Sequence, residues 1–174
     1  MRFVTVSSTL LLCAFAARAG EVVEIDGLKS SVPDSWKKAM PTNSMQYASF
    51  TLPKVDGDPE DATMIVYYFG REGGGTVDAN VKRWKDMFKA PAGEKAKVEK
   101  FKVGDVDVTS VDLGGTFLYR TRPGDPNVTE KPDFRMTGVI FASKKGPYYF
   151  RFVGPAKTIE KHKAEFDQWV KNFK

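Results

Sequence analysis

Three arginines around a proline-rich segment are the side chains in this sequence best suited to hold an anion. Arg120, Arg122 and Arg135 flank residues 121–133, which contain three prolines and no apolar period. Long loops of this kind are often functional, and converging guanidinium groups can grip a carboxylate or a phosphate. In the alternative interpretation, the arginine stems cover apolar surface or the charges pair with acids such as Asp133.

A second group of polar and aromatic residues lies on a predicted helix. Asn80, Arg83 and Trp84 form the pattern Asn-x-x-Arg-Trp, and together with the three arginines they are our predicted binding surface. The competing interpretation of Asn80 is a local one, in which its amide bonds only nearby backbone groups.

Metal and nucleophile chemistry has little support in the sequence. His162 is the single histidine, lies between Lys161 and Lys163, and is predicted to face solvent. A catalytic triad or an imidazole-based zinc site would need partners that the chain does not offer. The only cysteine is Cys13, so no disulfide or thiolate metal site is expected in the rest of the chain. Chemistry based on paired carboxylates stays open, because spacing in sequence says little about distance in space.

Two loops deserve comparison with known ligand-binding motifs. Residues 56–61 carry four carboxylates, as calcium sites do, but the alternating acids and terminal Glu of an EF-hand are missing, which favours a solvated turn. Residues 70–75 form a glycine cluster before a helix, an arrangement that can bind phosphate. They match neither the P-loop nor the G-x-G-x-x-G spacing, so we predict a flexible turn and no cofactor.

The helix after the glycine cluster is the best-marked element. Thr76 can cap its N-terminus, and Val77, Val81, Trp84 and Phe88 recur at helical spacing to give one buried stripe. A second helix closes the chain. It is predicted to be capped by Thr158 and to bury the following residues: Ile159, Phe166, Trp169 or Val170, and Phe173.

Strands account for most of the remaining chain. The best candidate is residues 62–69, which is apolar on both faces and therefore predicted to be central in a sheet. Gly104-Asp105 predicts a two-residue hairpin turn, and residues 144–147 predict a second hairpin. The apolar phase shifts from Val106 and Val108 to Val111 and Leu113, which predicts a bulge near Ser110. Further strands are expected at residues 22–28, 47–52, 98–103, 116–120, 134–143 and 148–153.

The N-terminal residues are typical of a signal peptide. Residues 1–19 combine an early arginine, an apolar run too short to span a membrane, and the small-x-small pattern Ala17-Arg18-Ala19. We therefore expect an exported protein, periplasmic or extracellular, whose residues 20–174 fold as a single domain without a membrane span. The formal net charge of +5 is spread among acids, which does not favour nucleic-acid binding.

The order of several short motifs resembles that of small secreted bacterial proteins with a PsbP-like fold. These motifs are Val32-Pro33-x-x-Trp36, the segment at residues 47–53, Asn80-x-x-Arg83-Trp84, and Gly154-Pro155 before the closing helix. The resemblance implies an α+β fold in which an antiparallel sheet is flanked by helices in an α/β/α sandwich, as in the Ran-binding Mog family. PsbP proteins assist the oxygen-evolving complex and Mog proteins bind a GTPase, but no binding residue of either family matches a position here.

Three functional hypotheses follow from the sequence. The leading one is an exported, non-enzymatic binding or accessory module of the cell envelope, with an envelope protein as partner and a monomeric state. The alternatives are a carrier of a small apolar or anionic ligand and a carboxylate-based hydrolase. A pocket would favour the carrier, and a carboxyl group with a raised pKa in a cleft would favour the hydrolase.

Overall fold

In the part of the chain that the structure describes, antiparallel strands dominate the fold and two helices pack against them. The structure is a computed structural model that describes residues 20–93, 95–122 and 124–174. The predicted signal peptide, residues 1–19, lies outside the described residues. The strands are β1 Val22–Ile25, β2 Leu28–Ser31, β3 Lys37–Lys38, β4 Gln46–Leu52, β5 Ala62–Tyr68, β6 Phe88–Lys89, β7 Lys97–Val103, β8 Val106–Tyr119, β9 Thr129–Ser143 and β10 Gly146–Pro155. The helices are α1 Val77–Lys85 and α2 Ala156–Lys171.

Eight of the strands form one antiparallel sheet. Their order is β3-β4-β5-β10-β9-β8-β6, with β7 paired to the first part of β8, while β1 and β2 form a separate hairpin. Both predicted hairpins are confirmed, β7 with β8 and β9 with β10. The strand predicted to be central is β5, which lies between β4 and β10. The prediction of an α+β fold with an antiparallel sheet is therefore confirmed.

The two faces of the sheet carry separate cores, because successive side chains of a strand point to opposite sides. Phe150 and Phe152 of β10 pack on the face that α2 covers, here called the α2 face. Tyr149 and Val153 pack on the other face, which Trp84 of α1 covers and which is called the α1 face. Buried side chains of α2 on the first face are Ile159, Phe166, Trp169 and Val170.

The helical cover differs in extent between the two faces. Helix α2 has 16 residues, and the β1–β2 hairpin holds its C-terminal end through Lys29 and Lys174, whose backbone groups bond at 2.9 and 3.1 Å. Helix α1 has nine residues and is therefore only about 14 Å long. On its face, Thr63 of β5 is exposed and Ile65 is half-buried. The α1 face is thus covered at one end and open at the other.

The predicted cap of the last helix is wrong. Helix α2 begins at Ala156 without a side-chain cap from Pro155, and Thr158 is the third helical residue. The N-terminal turn is instead capped from outside the helix by Asp58, whose Oδ2 accepts hydrogen bonds from the Thr158 backbone N–H at 2.9 Å and from its hydroxyl at 2.6 Å. One carboxylate of the acidic segment therefore stabilises a helix that lies 100 residues away in sequence.

The prediction that His162 faces solvent is also wrong. Its side chain is 5% exposed, with Nε2 3.0 Å from the Pro53 carbonyl and Nδ1 3.5 Å from a Glu165 oxygen. Its two lysine neighbours in sequence suggested a solvent-exposed position. Residue 162, however, follows Ile159 by three positions and therefore falls on the same buried stripe of the helix. His162 ties α2 to the end of β4.

The predicted bulge near Ser110 is wrong as well. The β8–β9 register is continuous from Asp107 to Gly115 and shifts only between Gly115 and Phe117. Val108 belongs to the α2-face core and Val111 to the α1-face core. The apolar phase changes because a straight strand passes from one helix to the other.

Candidate functional site

Asn80 braces the glycine-rich loop at the start of α1. Its amide is 2% exposed and donates to the carbonyls of Gly74 and Thr76 at 2.7 and 2.9 Å. Thr76 caps the helix as predicted, since its hydroxyl accepts from the Ala79 N–H at 3.2 Å. The side-chain oxygen of Asn80 accepts from Arg83 Nη1 at 2.8 Å. The local interpretation of Asn80 therefore describes its contacts, and Arg83 is held at the surface above it.

Trp84 is a packing residue that seats α1 on the sheet. Its side chain is 6% exposed and lies flat against Gly138 of β9, where an added Cβ would come within 2.5 Å of the indole ring. Glycine is required there because the indole occupies the space of a side chain.

Arg135 lies on the opposite face of the sheet from Trp84. On the α2 face, its guanidinium donates to both carboxylate oxygens of Asp112 at 2.8 and 2.9 Å and also contacts Glu160 of α2. The hydrogen bonds to Asp112 are the main reason why the pKa of Arg135 is raised. Arg135 thus closes an ion-pair network between sheet and helix, and the structure does not bring it together with Asn80, Arg83 and Trp84.

Arg120 and Arg122 lie exposed in the loop between β8 and β9. Asp125 organises that loop, accepting from the Thr121 hydroxyl and from the Asn127 N–H. These bonds lower the pKa of Asp125, the Thr121 bond most strongly, and the charge of Arg120 adds to the effect. The structure therefore divides the predicted set among the α1 surface, the α2 face and this loop.

Arg151 is the residue that sequence reasoning missed. It lies on β10 between two buried phenylalanines, and its cross-strand neighbours are Gly138 on β9 and Ile65 on β5. Its position on the α1 face is therefore next to Trp84. The sequence contains a signal for this position, because side chains alternate along the strand at residues 148–153 and Arg151 therefore points to the side opposite to Phe150 and Phe152.

The contacts of Arg151 leave much of its guanidinium without an acceptor. Its Nη2 donates to the Tyr67 hydroxyl at 2.7 Å, and the guanidinium carbon lies 5.2 Å from the Tyr67 ring centroid. Its Nε is buried and has no hydrogen-bond partner among the described residues. No ion pair joins Arg151 to a carboxylate in the part of the chain that the structure describes.

Aromatic side chains surround this arginine. Tyr67 stacks on Phe69 with ring centroids 6.0 Å apart, and Phe69 meets Tyr149 edge-on at 5.5 Å. Phe69 remains 38% exposed. We call the uncovered part of the α1 face the open face, which comprises Ser49, Thr51, Thr63, Ile65, Tyr67, Phe69 and Arg151. These side chains include one cation and no carboxylate, and the exposed Lys37 of β3, which pairs with Thr51, lies at the border of the same face.

The acidic segment at residues 56–61 has structural contacts. Besides the cap that Asp58 provides, Asp61 accepts from the Lys54 N–H at 3.0 Å and Glu60 pairs with Lys131 at 2.6 Å. Within the described residues, no group of three or more His, Cys, Asp or Glu side chains is placed to hold a metal ion. None of the helices described has the length and apolarity needed to cross a bilayer.

Comparison with known proteins identifies the fold. No family model and no curated protein matches the sequence. The solution structure of cyanobacterial PsbP (CyanoP) from Synechocystis sp. PCC 6803 is similar with a TM-score of 0.54 and 13% identity, over 95% of this chain and 98% of that one. A protein of unknown function from Pseudomonas aeruginosa, PA94, gives a TM-score of 0.49 and 11% identity, over 87% and 93% of the two chains. The chain has a PsbP-like fold, as the resemblance implied.

Proposed function

We propose that this protein is an exported, non-enzymatic binding or accessory module of the cell envelope that docks through the open face onto carboxylates of a partner protein. In this proposal residues 1–19 are a signal peptide, and the domain is an α/β/α sandwich whose α1 layer is incomplete. The incomplete layer exposes the surface through which the partner binds.

The observation that carries this proposal is the environment of Arg151. A guanidinium has five N–H donors in a planar fork that matches a carboxylate, and only Nη2 of Arg151 has a partner in the described chain. Arginine and aromatic side chains are enriched among the residues that dominate binding energy in interfaces. A carboxylate from a partner would supply the acceptors that the fold itself does not.

Arg83 extends the same surface toward α1. Its Nη1 is fixed by Asn80 at 2.8 Å, and the side chain is exposed beside the buried Trp84. Its positive charge also opposes the main effect of burial on Tyr149, whose pKa is raised by desolvation. Arg83 therefore lies close enough to the aromatic cluster to add a further cation to the docking surface. Of the six residues predicted from the sequence, Asn80, Arg83 and Trp84 support this proposal.

The shifted pKa values of two carboxyl groups do not favour the hydrolase alternative. A general acid of a paired-carboxylate enzyme needs a raised pKa. Glu99 has a lowered pKa, mainly because Lys97 donates a hydrogen bond to it. Asp125 also has a lowered pKa, mainly because of the Thr121 hydroxyl. Both groups favour the charged form, which suits ion pairs better than proton donation.

A quantitative pull-down from a cell-envelope extract tests the proposal. We expect the Arg151→Gln variant to retain the partner at least about tenfold less than wild type, a loss of about 1.4 kcal/mol. Arg151→Lys should be nearly as weak, because an ammonium group keeps the charge but cannot form the fork. The matched control is Lys157→Gln, which removes an exposed cation of α2 on the other side of the sheet.

Folded Arg151 variants that retain the same proteins as wild type would refute the docking surface. Each variant is checked by circular dichroism and by its unfolding midpoint before the comparison. Partner loss in the Lys157→Gln control would equally count against the proposal, because it would show that overall charge governs retention.

A further inference from the structure

A groove lies on the α2 face between β7 and α2. Its strand wall consists of Lys97, Glu99 and Phe101. Phe101 packs against the α2-face core, and the other two side chains alternate in phase with it along β7, so all three point to this face. Lys100 and Lys102 lie between them in sequence and therefore point to the α1 face. Only the first three side chains belong to the groove.

Helix α2 forms the other wall with Lys163, Asp167 and Lys171. Lys163 and Lys171 are about two turns apart on one helix, so this wall runs for about 12 Å. The volume of the groove is about 690 Å³, which falls within the range of about 300–1,000 Å³ typical of small-molecule sites. The groove is therefore large enough for a molecule of two linked rings.

The floor of the groove is mainly polar. Asp112 and Thr137 are cross-strand partners on β8 and β9, and Ser110 and Val139 form the next pair on the same face. Ser110 and Asp112 are half-buried, so their polar atoms remain reachable from the groove. A floor with two hydroxyls and a carboxylate beside one valine suits a ligand that carries polar groups along its length better than a hydrocarbon chain.

Thr137 provides the observation that points to a ligand. The residue is 2% exposed and lines the groove, and its hydroxyl has no hydrogen-bond partner among the described residues. A buried hydroxyl without a partner is uncommon, because the fold loses a hydrogen bond that water would have provided. A hydroxyl both donates and accepts, so a hydroxyl group of a bound molecule can satisfy it in either direction.

The carboxylate of Asp112 is a fixed acceptor on the strand next to Thr137. Arg135 donates to its two oxygens at 2.8 and 2.9 Å, and the Asp112 side chain is 21% exposed. A carboxylate has about four lone-pair sites, so about two acceptor sites remain for a ligand. A hydroxyl that donates to this carboxylate forms a charge-assisted hydrogen bond, which is about twice as strong as a neutral one.

The charged side chains of the groove balance one another. Three lysines face three acids, since the two lysines on the α1 face do not count. Lys97 pairs with Glu99 at 2.8 Å, and Lys163 pairs with Asp167 at 2.5 Å. The pKa of Glu99 is lowered mainly by the hydrogen bond from Lys97, and the charges of Lys163 and Lys171 add to this effect. The groove therefore has no excess charge of either sign, which favours a neutral ligand.

We propose that this groove binds a neutral polyhydroxylated molecule of disaccharide size, with its hydroxyls bonded to Ser110, Asp112 and Thr137. The half-buried Phe101 offers an aromatic surface for the C–H groups of a sugar ring. Phe101 lies four residues along β7 from Lys97, which is about 13 Å, so a ligand that contacts both ends of the groove needs two linked rings. This site lies on the face opposite to the open face and does not depend on the proposed docking function.

NMR titration of the backbone amides tests this site. The probes are four neutral disaccharides, namely cellobiose, maltose, lactose and diacetylchitobiose. We expect at least one of them to cause saturable shifts at residues 110 and 137. Cyclohexanol, a ring with a single hydroxyl, should bind at least about tenfold more weakly, because each missing hydrogen bond contributes about 0.5–1.5 kcal/mol.

Variants of the floor locate the binding. Thr137→Val should weaken binding of that disaccharide about fivefold, the loss of one hydrogen bond, and Ser110→Ala should act in the same way. The matched control is Thr109→Val, which removes a hydroxyl from the α1 face of the same sheet and should change the affinity less than about twofold. Because the Thr137 hydroxyl has no partner within the described residues, Thr137→Val should not lower the unfolding midpoint. If Thr137→Val does not fold, Ser110→Ala decides the test.

Several results would overturn the proposal. Shifts that stay linear with every disaccharide would show that water alone satisfies the groove, and equal affinity for cyclohexanol would show that hydroxyls are not recognised. Unchanged disaccharide affinity in folded Thr137→Val and Ser110→Ala would place the ligand elsewhere. Tighter binding of lactobionate, the carboxylate analogue, than of lactose would show that the groove selects an anion.

Discussion

Substitution of Asp58 by alanine should destabilise the protein by about 2–3 kcal/mol. Asp58 Oδ2 is the acceptor for both the backbone N–H and the hydroxyl of Thr158, and Thr158 is fully buried. Water therefore cannot replace the lost acceptor. Removal of a helix cap costs about 0.5–2 kcal/mol, and stranding a buried donor costs about 1–3 kcal/mol, with the two effects overlapping here.

The asparagine variant separates hydrogen bonding from charge. Both bonds end on one oxygen, so Asp58→Asn keeps an acceptor for each and loses only the interaction of a negative charge with the helix N-terminus. That interaction contributes about 0.3–1 kcal/mol. The control is Asp56→Ala, an exposed acid of the same segment, which should change the free energy of unfolding by less than about 0.5 kcal/mol.

Urea denaturation followed by circular dichroism gives the free energies, with and without millimolar calcium. A loss below about 0.5 kcal/mol in Asp58→Ala would show that Thr158 finds another acceptor and would refute this reasoning. A rise of the wild-type midpoint with calcium, abolished in Asp58→Ala, would show instead that the acidic segment is a calcium site.

Three further predictions concern the sheet. Gly138→Ala should cost about 1–3 kcal/mol in a chemical denaturation experiment, because a methyl group would overlap the Trp84 ring; an unchanged midpoint would contradict this packing. Arg135→Gln should cost about 2 kcal/mol by the same assay, since it strands the half-buried Asp112 carboxylate, and a neutral effect would return Arg135 to the candidate binding residues. Burial raises the pKa of Tyr149, which means that the folded protein favours the neutral phenol. The contribution of this residue to folding stability is therefore complete below the ordinary tyrosine pKa of about 10 and is lost as the pH rises above that value. The Tyr149→Phe variant should therefore lose less stability than wild type between neutral and strongly alkaline pH. Equal losses in the two proteins would show that ionisation of Tyr149 does not contribute to alkaline destabilisation.

Local signals in the sequence predicted those parts of the fold that depend on neighbouring residues. The cap by Thr76 and the turn at Gly104-Asp105 were both confirmed, because a helix N-terminus and a two-residue hairpin are decided within a few positions. The two-sided hydrophobicity of residues 62–69 likewise predicted an internal strand. These patterns sufficed for the fold class.

Features that depend on distant residues could not be predicted. Asp58 caps α2 across 100 positions, and the Pro53 carbonyl that contacts the buried His162 lies 109 positions away. No local rule distinguishes Asp58 from the other acids of its loop. The same limit applies to the binding surface, where Arg135 flanks the same proline-rich segment as Arg120 and Arg122 in sequence but lies in β9 and faces α2 in space.

Arg151 illustrates a different kind of omission. It lies in a stretch dominated by aromatic residues, where the apolar pattern predicts a core face at Phe150 and Phe152 but assigns no role to the side chain between them. A cation at the centre of a sheet strand is costly unless its face is open to water or to a partner. The presence of Arg151 at that position therefore indicates that the α1 face is incompletely covered, an inference that alternation alone permits.

The change of apolar phase in β8 carries the same kind of information about how the sheet is covered. On the α2 face this strand is apolar at Val106 and Val108 and becomes polar at Ser110 and Asp112, while its apolar residues continue on the α1 face. A bulge would have kept one face apolar throughout, but the register is continuous. On the α2 face, Ser110 and Asp112 are only half-buried, and Asp112 is held by Arg135 at 2.8 Å. The pattern that suggested an irregular strand therefore reflects a change in which helix covers the apolar side chains of β8.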